Sequence, residues 1–185
     1  AGNLLGKRAF RIFLTLNGCL APLLIGTAVG TFFTGSDFTI NKNAVADIGS
    51  PVISRWGNEW HGLEAVANPF NVEFGLMVMF LAISLGALYL INNIDHEKLA
   101  SQLHRALTIC FGLFLLLFLI VCYNLITMDG FAVDAMGAIV MEKGKYFTNL
   151  LEMPAVLGML LIGAVLLVTG VAKTLLCKNF KRGIW

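Results

Sequence analysis

The chain has 185 residues, of which 58% are hydrophobic and 13% are charged, and its formal net charge at pH 7 is +2. Soluble domains contain about half apolar and about a quarter charged residues, so this composition excludes an ordinary soluble protein. The small net charge and the missing basic patch exclude a nucleic-acid-binding protein, and the length suits a single transmembrane domain over residues 1–185.

The first hydrophobic run extends from Ile12 to Phe33 and predicts a membrane-spanning helix. Two residues interrupt it: we predict that Asn17 is buried and bonds to another helix, and that Pro22 kinks the helix. Gly26 and Gly30 form a G-x-x-x-G pattern, which lets a second helix approach closely. We interpret them as a helix-packing face rather than as a chance pair in a glycine-rich sequence.

A polar loop follows from residue 34 to residue 69. Trp56 and Trp60 lie shortly before the next hydrophobic run, and tryptophans in such places mark the interface between membrane and water. Trp60, His61 and Glu64 are spaced to share one face of a helix. We therefore predict a short helix that lies along the membrane surface.

The second hydrophobic run, Phe70–Ile91, has 22 residues. About 20 such residues cross the hydrocarbon core of a bilayer. Asn68 predicts a helix N-cap, and Pro69 fits the first turn, where its missing N–H has no partner to lose. Ala82 and Gly86 predict a second packing face on this helix.

Two further runs, Ala106–Ile126 and Pro154–Ala172, predict the third and fourth spans. A second polar loop, Phe131–Glu152, separates them, and its residues 141–145 predict a hairpin turn or a surface segment. The predicted fold class is therefore all-α: a polytopic membrane protein with four transmembrane helices in a bundle and two longer outer loops.

The distribution of basic residues predicts the orientation in the membrane. The N-terminal arm, the turn at residues 92–105 and the C-terminal tail hold nine of the thirteen Lys and Arg residues, and the two long loops hold four. Cytoplasmic segments of membrane proteins carry an excess of Lys and Arg. We therefore expect both ends of the chain in the cytoplasm and both long loops outside, in a bacterial cytoplasmic (inner) membrane.

Acidic residues are the first candidates for chemistry. Glu73 is the one carboxylate inside a predicted span, close to its outer end. Either the helix dipole stabilises it near headgroup water, or it carries protons, because ionisable groups in membranes are costly and often functional. Glu64, Glu73, Asp129 and Glu152 all fall at outer ends of spans and would form either an acidic proton-exchanging rim or separate interfacial caps. We favour separate caps.

Metal and haem ligands are the second candidates. His61 lies in an outer loop, whereas His96 and His104 lie on the cytoplasmic side, so His61 cannot share a haem with either of them. His61 and Glu64 lack further ligands nearby, and the four cysteines form no C-x-x-C pair. Asn124 is a second polar residue that we expect to bond across helices. We therefore assign this chain no catalytic residue, no metal ligand and no haem ligand.

Four stretches occur in a defined order along the chain. They are PLLIGTAVG at Pro22–Gly30, LEAVANPFNV at Leu63–Val72, LGALYL at Leu85–Leu90 and DGFAV at Asp129–Val133. Together they resemble subunit II of cytochrome bd-type quinol oxidases, over nearly the whole chain. Members of that family are longer and begin with spans that have no counterpart here, so we interpret the chain as a fragment from the middle of the subunit.

The resemblance implies a supporting role. In such oxidases subunit I carries haem b and haem d and oxidises quinol, and subunit II packs against it without haem ligands. The implied partners are therefore the haem-bearing subunit I, membrane lipids and quinone, including a possible structural quinone. Two alternatives stay open: a small-solute or ion transporter or channel, in which Glu73 and Asn17 would line a pathway, and a structural membrane scaffold.

Overall fold

A computed structural model describes residues 4–41, 53–94, 96–134 and 136–176. Five α-helices make up most of these residues: α1 (Leu4–Thr34), α2 (Pro69–Asn93), α3 (Glu97–Thr127), α4 (Lys145–Glu152) and α5 (Pro154–Leu176). A short 3-10 helix, Leu63–Ala67, precedes α2. Four short strands lie in the long connections: β1 (Phe38–Ile40), β2 (Ser54–Trp56), β3 (Gly130–Val133) and β4 (Ile139–Glu142).

Four helices, α1, α2, α3 and α5, are long and apolar enough to cross a membrane. The prediction of an all-α polytopic membrane protein is therefore confirmed. The helices α1 and α3 begin about two turns before the predicted runs, because polar residues outside the hydrocarbon continue a helix that the apolar core has started. The helix α1 continues through Pro22, and the kink expected there stays a prediction.

Asn68 caps the start of α2 as predicted: its Oδ1 accepts the N–H of Phe70 at 3.0 Å, and Pro69 is the first helical residue.

The connection between α2 and α3, at the other end of α2, is short. The helix α2 ends at Asn93, and the ring of His96 caps α3 by accepting the N–H of Leu99 at 3.3 Å. The two helices are therefore antiparallel neighbours.

The helices pack side by side in the order α1, α2, α3. We call the end of the bundle at the α2–α3 turn the turn end, and the opposite end, which carries both long connections, the loop end. The core lies toward the turn end, where α2, α3 and α5 meet around Ala87, Leu88, Ile91, Leu107, Phe111, Phe114 and Val171.

The first half of α1 stays outside this core. Phe10, Phe13 and Asn17 are exposed, because α1 meets α2 only through its second half. The prediction that Asn17 is buried was therefore wrong for this chain.

Two antiparallel hairpins lie in the connections at the loop end. Strand β1 pairs with β2, and β3 pairs with β4, in the latter case with Phe131 opposite Met141 and Val133 opposite Ile139. Next to the end of β3, Gly137 has a φ of +77° and donates its N–H to the carbonyl of Asp134 at 2.8 Å. Residues 141–145 hold the end of β4, a turn and the first residue of α4, and most of them are exposed, so the surface segment is the alternative that fits the structure.

The predicted surface helix containing Trp60, His61 and Glu64 was also wrong. His61 and Gly62 have φ values of +51° and +96°, which a right-handed helix cannot contain, so the 3-10 helix starts only at Leu63. A short amphipathic helix, α4, lies instead before α5, and sequence analysis missed it.

Candidate functional site

The helices α1 and α2 cross at a seam of small residues. A side chain added at Gly26 would lie 2.8 Å from the Cα of Gly75, and one added at Gly30 would lie 2.7 Å from Oδ1 of Asn71. The predicted packing glycines therefore face α2 at distances that leave no room for a methyl group. Sequence analysis missed their partner Gly75, whose signal was its spacing of four residues from Asn71.

Asn71 joins three elements at the loop end. Its side chain is buried, with 1% exposed. Its amide donates to the carbonyl of Ala65 at 3.2 Å, and its Oδ1 accepts the hydroxyl of Thr34 at 3.0 Å. One side chain thus ties the end of α1 and the 3-10 helix to the start of α2. In the sequence alone, Asn71 stands out only as a polar residue in an apolar run.

Glu73 and Asn124 form the polar contact between α2 and α3. The amide Nδ2 of Asn124 donates to Oε2 of Glu73 at 2.9 Å, and both side chains are half-buried. By helical rise, Glu73 lies about 6 Å below the start of α2. A carboxamide can donate to an ionised carboxylate or, after rotation, accept from a protonated one, so this pair can stay bonded in either protonation state.

Breaking this pair should cost little stability but should be measurable. A double-mutant cycle with Glu73→Leu and Asn124→Leu is expected to give a coupling energy of about 0.6 kcal/mol and at most about 1.7 kcal/mol, the mean and the maximum found for hydrogen bonds between membrane helices. The free energy of unfolding in mixed detergent micelles is the quantity to measure. Additive effects of the two substitutions would show that the contact contributes nothing to the α2–α3 interface.

The other candidate acids lie in separate environments. Asp129 is exposed in the link between α3 and β3. Glu152 is exposed at the last position of α4, and Met153 joins it to α5. Glu73 bonds to Asn124, whereas Glu64 bonds to backbone. The choice between separate caps, which we favour, and an acidic rim stays a prediction.

Glu64 stabilises the turn before α2. Its Oε2 accepts the N–H of Gly62 at 2.8 Å, while its Oε1 is buried and has no hydrogen-bond partner in the part of the chain that the structure describes. The pKa of Glu64 is lowered, first by the N–H of Glu64 itself; desolvation opposes this shift, and the N–H of Gly62 adds to it. The ionised form of Glu64 is therefore the form that the fold favours.

The lowered pKa of Glu64 has a consequence for stability in acid. Because its folded pKa lies below the reference value of 4.5, its contribution is complete above pH 4.5 and is lost as the pH falls through the folded pKa. The difference in unfolding free energy between wild type and Glu64→Gln should be constant above pH 4.5 and should shrink below it. Thermal unfolding over an acid pH series measures this difference. A difference that grows in acid would contradict the assignment.

The histidines lie at opposite ends of the bundle. The ring of His61 packs edge-on against Trp56, with 6.5 Å between ring centroids, at the loop end. His96 caps α3 at the turn end, and His104 follows in the same helix. The 25 residues of α2 separate these ends by about 37 Å. Within the described residues, no three His, Cys, Asp or Glu side chains are arranged to hold a metal ion.

An apolar cavity of about 390 Å³ opens between α2, α3 and α5. Its lining carries no polar side chain, so it fits a hydrocarbon chain and not a charged group. The lining residues include Met77, Leu81, Phe114, Phe118, Leu160 and Gly163.

The second predicted packing face of α2 is turned away from the other helices described. Ala82 and Gly86 are both exposed, and a side chain added at Gly86 would meet nothing within 4 Å. The packing role of this face stays a prediction.

Comparison with known proteins identifies the chain. A search of curated proteins finds no match. A family model described as cytochrome bd terminal oxidase subunit II matches residues 3–182, which is nearly the whole chain. The four membrane-spanning helices agree with a membrane subunit of this kind. The chain therefore belongs to the cytochrome bd terminal oxidase subunit II family.

Proposed function

We propose that this chain is the non-haem part of a bd-type oxidase that couples quinol oxidation to the reduction of oxygen to water in a respiratory chain. The observation that carries the proposal is the match of residues 3–182 to the subunit II family. In this role the chain is a scaffold of an oxidoreductase complex and is not catalytic alone.

The packing of the described residues supports a scaffold. The α1–α2 seam is closed by glycines, and α2 and α3 meet through an apolar cluster together with the Glu73–Asn124 contact. A haem held by two histidines needs both within one site, and the length of α2 places His61 about 37 Å by helical rise from His96. His104 lies about two turns along α3 from His96, still well away from the loop end. We therefore assign haem b and haem d to a partner subunit.

The partner surface is expected to include the unpaired faces of the bundle. The exposed pair Ala82 and Gly86 on α2 would allow close approach of a helix from the haem-bearing subunit I. The apolar cavity between α2, α3 and α5 would take the isoprenoid tail of a structural quinone or a lipid chain.

The orientation follows from the charges. Lys and Arg residues concentrate at the turn end and in both terminal segments, and this distribution supports a cytoplasmic location of that side in a bacterial inner membrane. In that orientation Glu64, Glu73 and Glu152 would lie on the outer side, available as proton or polar sites.

A spectrum of the purified parent complex tests the proposal. The complex would be extracted in mild detergent, and the reduced-minus-oxidised absorption difference recorded together with quinol oxidation. Chlorin-type d bands and b-type bands that belong to a larger partner subunit are expected. A preparation that retains its partners and contains no haem would overturn the oxidase role, and solute flux in liposomes would then test a transporter.

A further inference from the structure

The hairpin β3–β4 has one strongly apolar face. Antiparallel register places Phe131 opposite Met141 and Val133 opposite Ile139, and side chains two residues apart on a strand share a face. These four side chains, which we call the apolar face, are 72%, 60%, 74% and 74% exposed, respectively. The face carries no charge and no side-chain hydrogen-bonding group.

The opposite face of the hairpin packs against α4. Gly130 is buried, and a side chain added there would lie 2.8 Å from Cβ of Lys145 and 3.3 Å from the ring of Tyr146. Tyr146 in turn packs against Phe33 of α1, with ring centroids 5.6 Å apart. The apolar face is therefore directed away from α4 and from the helices beneath it.

The root of the hairpin lies level with the last turn of α3. Strand β3 begins three residues after Thr127, and a side chain added at Gly144 would lie 3.7 Å from the carbonyl of Ile126. Tyr123, one turn below, is 68% exposed, and an exposed tyrosine at a helix end is typical of the interface between hydrocarbon and headgroups. The hairpin is thus tethered at the depth of that interface.

We propose that the hairpin β3–β4 lies on the bilayer surface at the loop end and inserts its apolar face into the boundary between headgroups and acyl chains. A two-stranded hairpin has unpaired N–H and C=O groups along both outer edges, so it cannot enter the dry hydrocarbon core. At the interface, water and headgroups satisfy those edges while the four apolar side chains leave water. Protein–protein interfaces usually surround an apolar centre with a rim of polar contacts, and this face carries no polar side chain.

Spin labels at neighbouring positions of one strand test this proposal. Ile139→Cys places a label on the apolar face, and Val140→Cys places one on the opposite face; both are made in the complex after its native cysteines have been replaced. The complex is studied in nanodiscs of its own lipids. The measured quantity is the ratio of the spin-label relaxation caused by oxygen to that caused by a water-soluble nickel chelate. This ratio should be severalfold higher at position 139 than at position 140, and a label at Phe131→Cys should give a ratio like that at position 139.

Two results would overturn the proposal. Strong relaxation by the nickel chelate at positions 131 and 139 would place the face in water. An immobile label that neither oxygen nor nickel reaches would place it under a partner protein. If a label prevents assembly, Phe131→Trp gives the same information: brominated lipids should quench the added fluorescence, and failure of quenching would contradict lipid contact.

Discussion

Replacing Gly75 by valine is expected to separate α1 from α2. A Cβ at this position would meet Oγ1 of Thr27 and would lie 2.6 Å from the backbone carbonyl of Leu23, which cannot move without bending α1. Overpacking usually costs about 1–3 kcal/mol, and we expect Gly75→Ala to fall at the upper end of that range because the obstacle is backbone. Gly75→Val, which adds two further methyl groups, should prevent stable packing.

The measurement for Gly75 is the free energy of unfolding in mixed micelles, together with the yield of assembled complex. Gly112→Ala is the matched control: Gly112 also lies inside a spanning helix, and a side chain added there would meet nothing within 4 Å. That change should be neutral or should stabilise α3 by up to about 1 kcal/mol, because alanine is the better helix former. Equal losses at positions 75 and 112 would contradict a close crossing.

Replacing Asn71 by leucine should be the second most damaging change. Leucine has a similar volume but removes the two hydrogen bonds that Asn71 makes with the carbonyl of Ala65 and the hydroxyl of Thr34, at a site that is 1% exposed. Losing two buried hydrogen bonds should cost roughly 2 kcal/mol or more. The expected result is a lower unfolding free energy and earlier proteolytic cleavage between α1 and α2.

Asn93→Leu supplies the comparison for Asn71. Asn93 lies on the same helix, but it is exposed, and its side-chain amide donates to the carbonyl of Tyr89 one turn below, at 2.8 Å. A surface change of this kind usually alters stability by less than about 0.5 kcal/mol. If both asparagines gave small effects, the Asn71 contacts would not hold the loop end together.

The spanning helices were predictable because the bilayer imposes a length on them. Phe70–Ile91 is apolar over the thickness of the hydrocarbon, and Asn68 and Pro69 mark its start within one residue of the observed helix. The glycine pattern of α1 was equally visible, since packing between membrane helices depends on small residues. Gly75 could not be chosen in advance, because which face of α2 meets α1 is decided only when both helices pack.

The loop end was predicted poorly for a related reason. The strands β3 and β4 are four residues each, too short for a periodicity that sequence alone can distinguish from a loop. The helix expected at Trp60 failed because His61 adopts a left-handed conformation that is uncommon outside glycine. The Glu73–Asn124 contact joins residues 51 positions apart, and neither span reveals its partner.

The α2–α3 and α1–α2 interfaces differ in the chain entropy that is lost when they form, because the connections between their helices differ in length. Only three residues separate α2 from α3 along the chain, whereas the α1–α2 seam closes the whole segment between Thr34 and Pro69. Loop-closure entropy rises with the number of residues enclosed, so the first contact is the less costly to form. During synthesis the ribosome releases α1 before α2, so the α1–α2 seam can close only after α2 has followed.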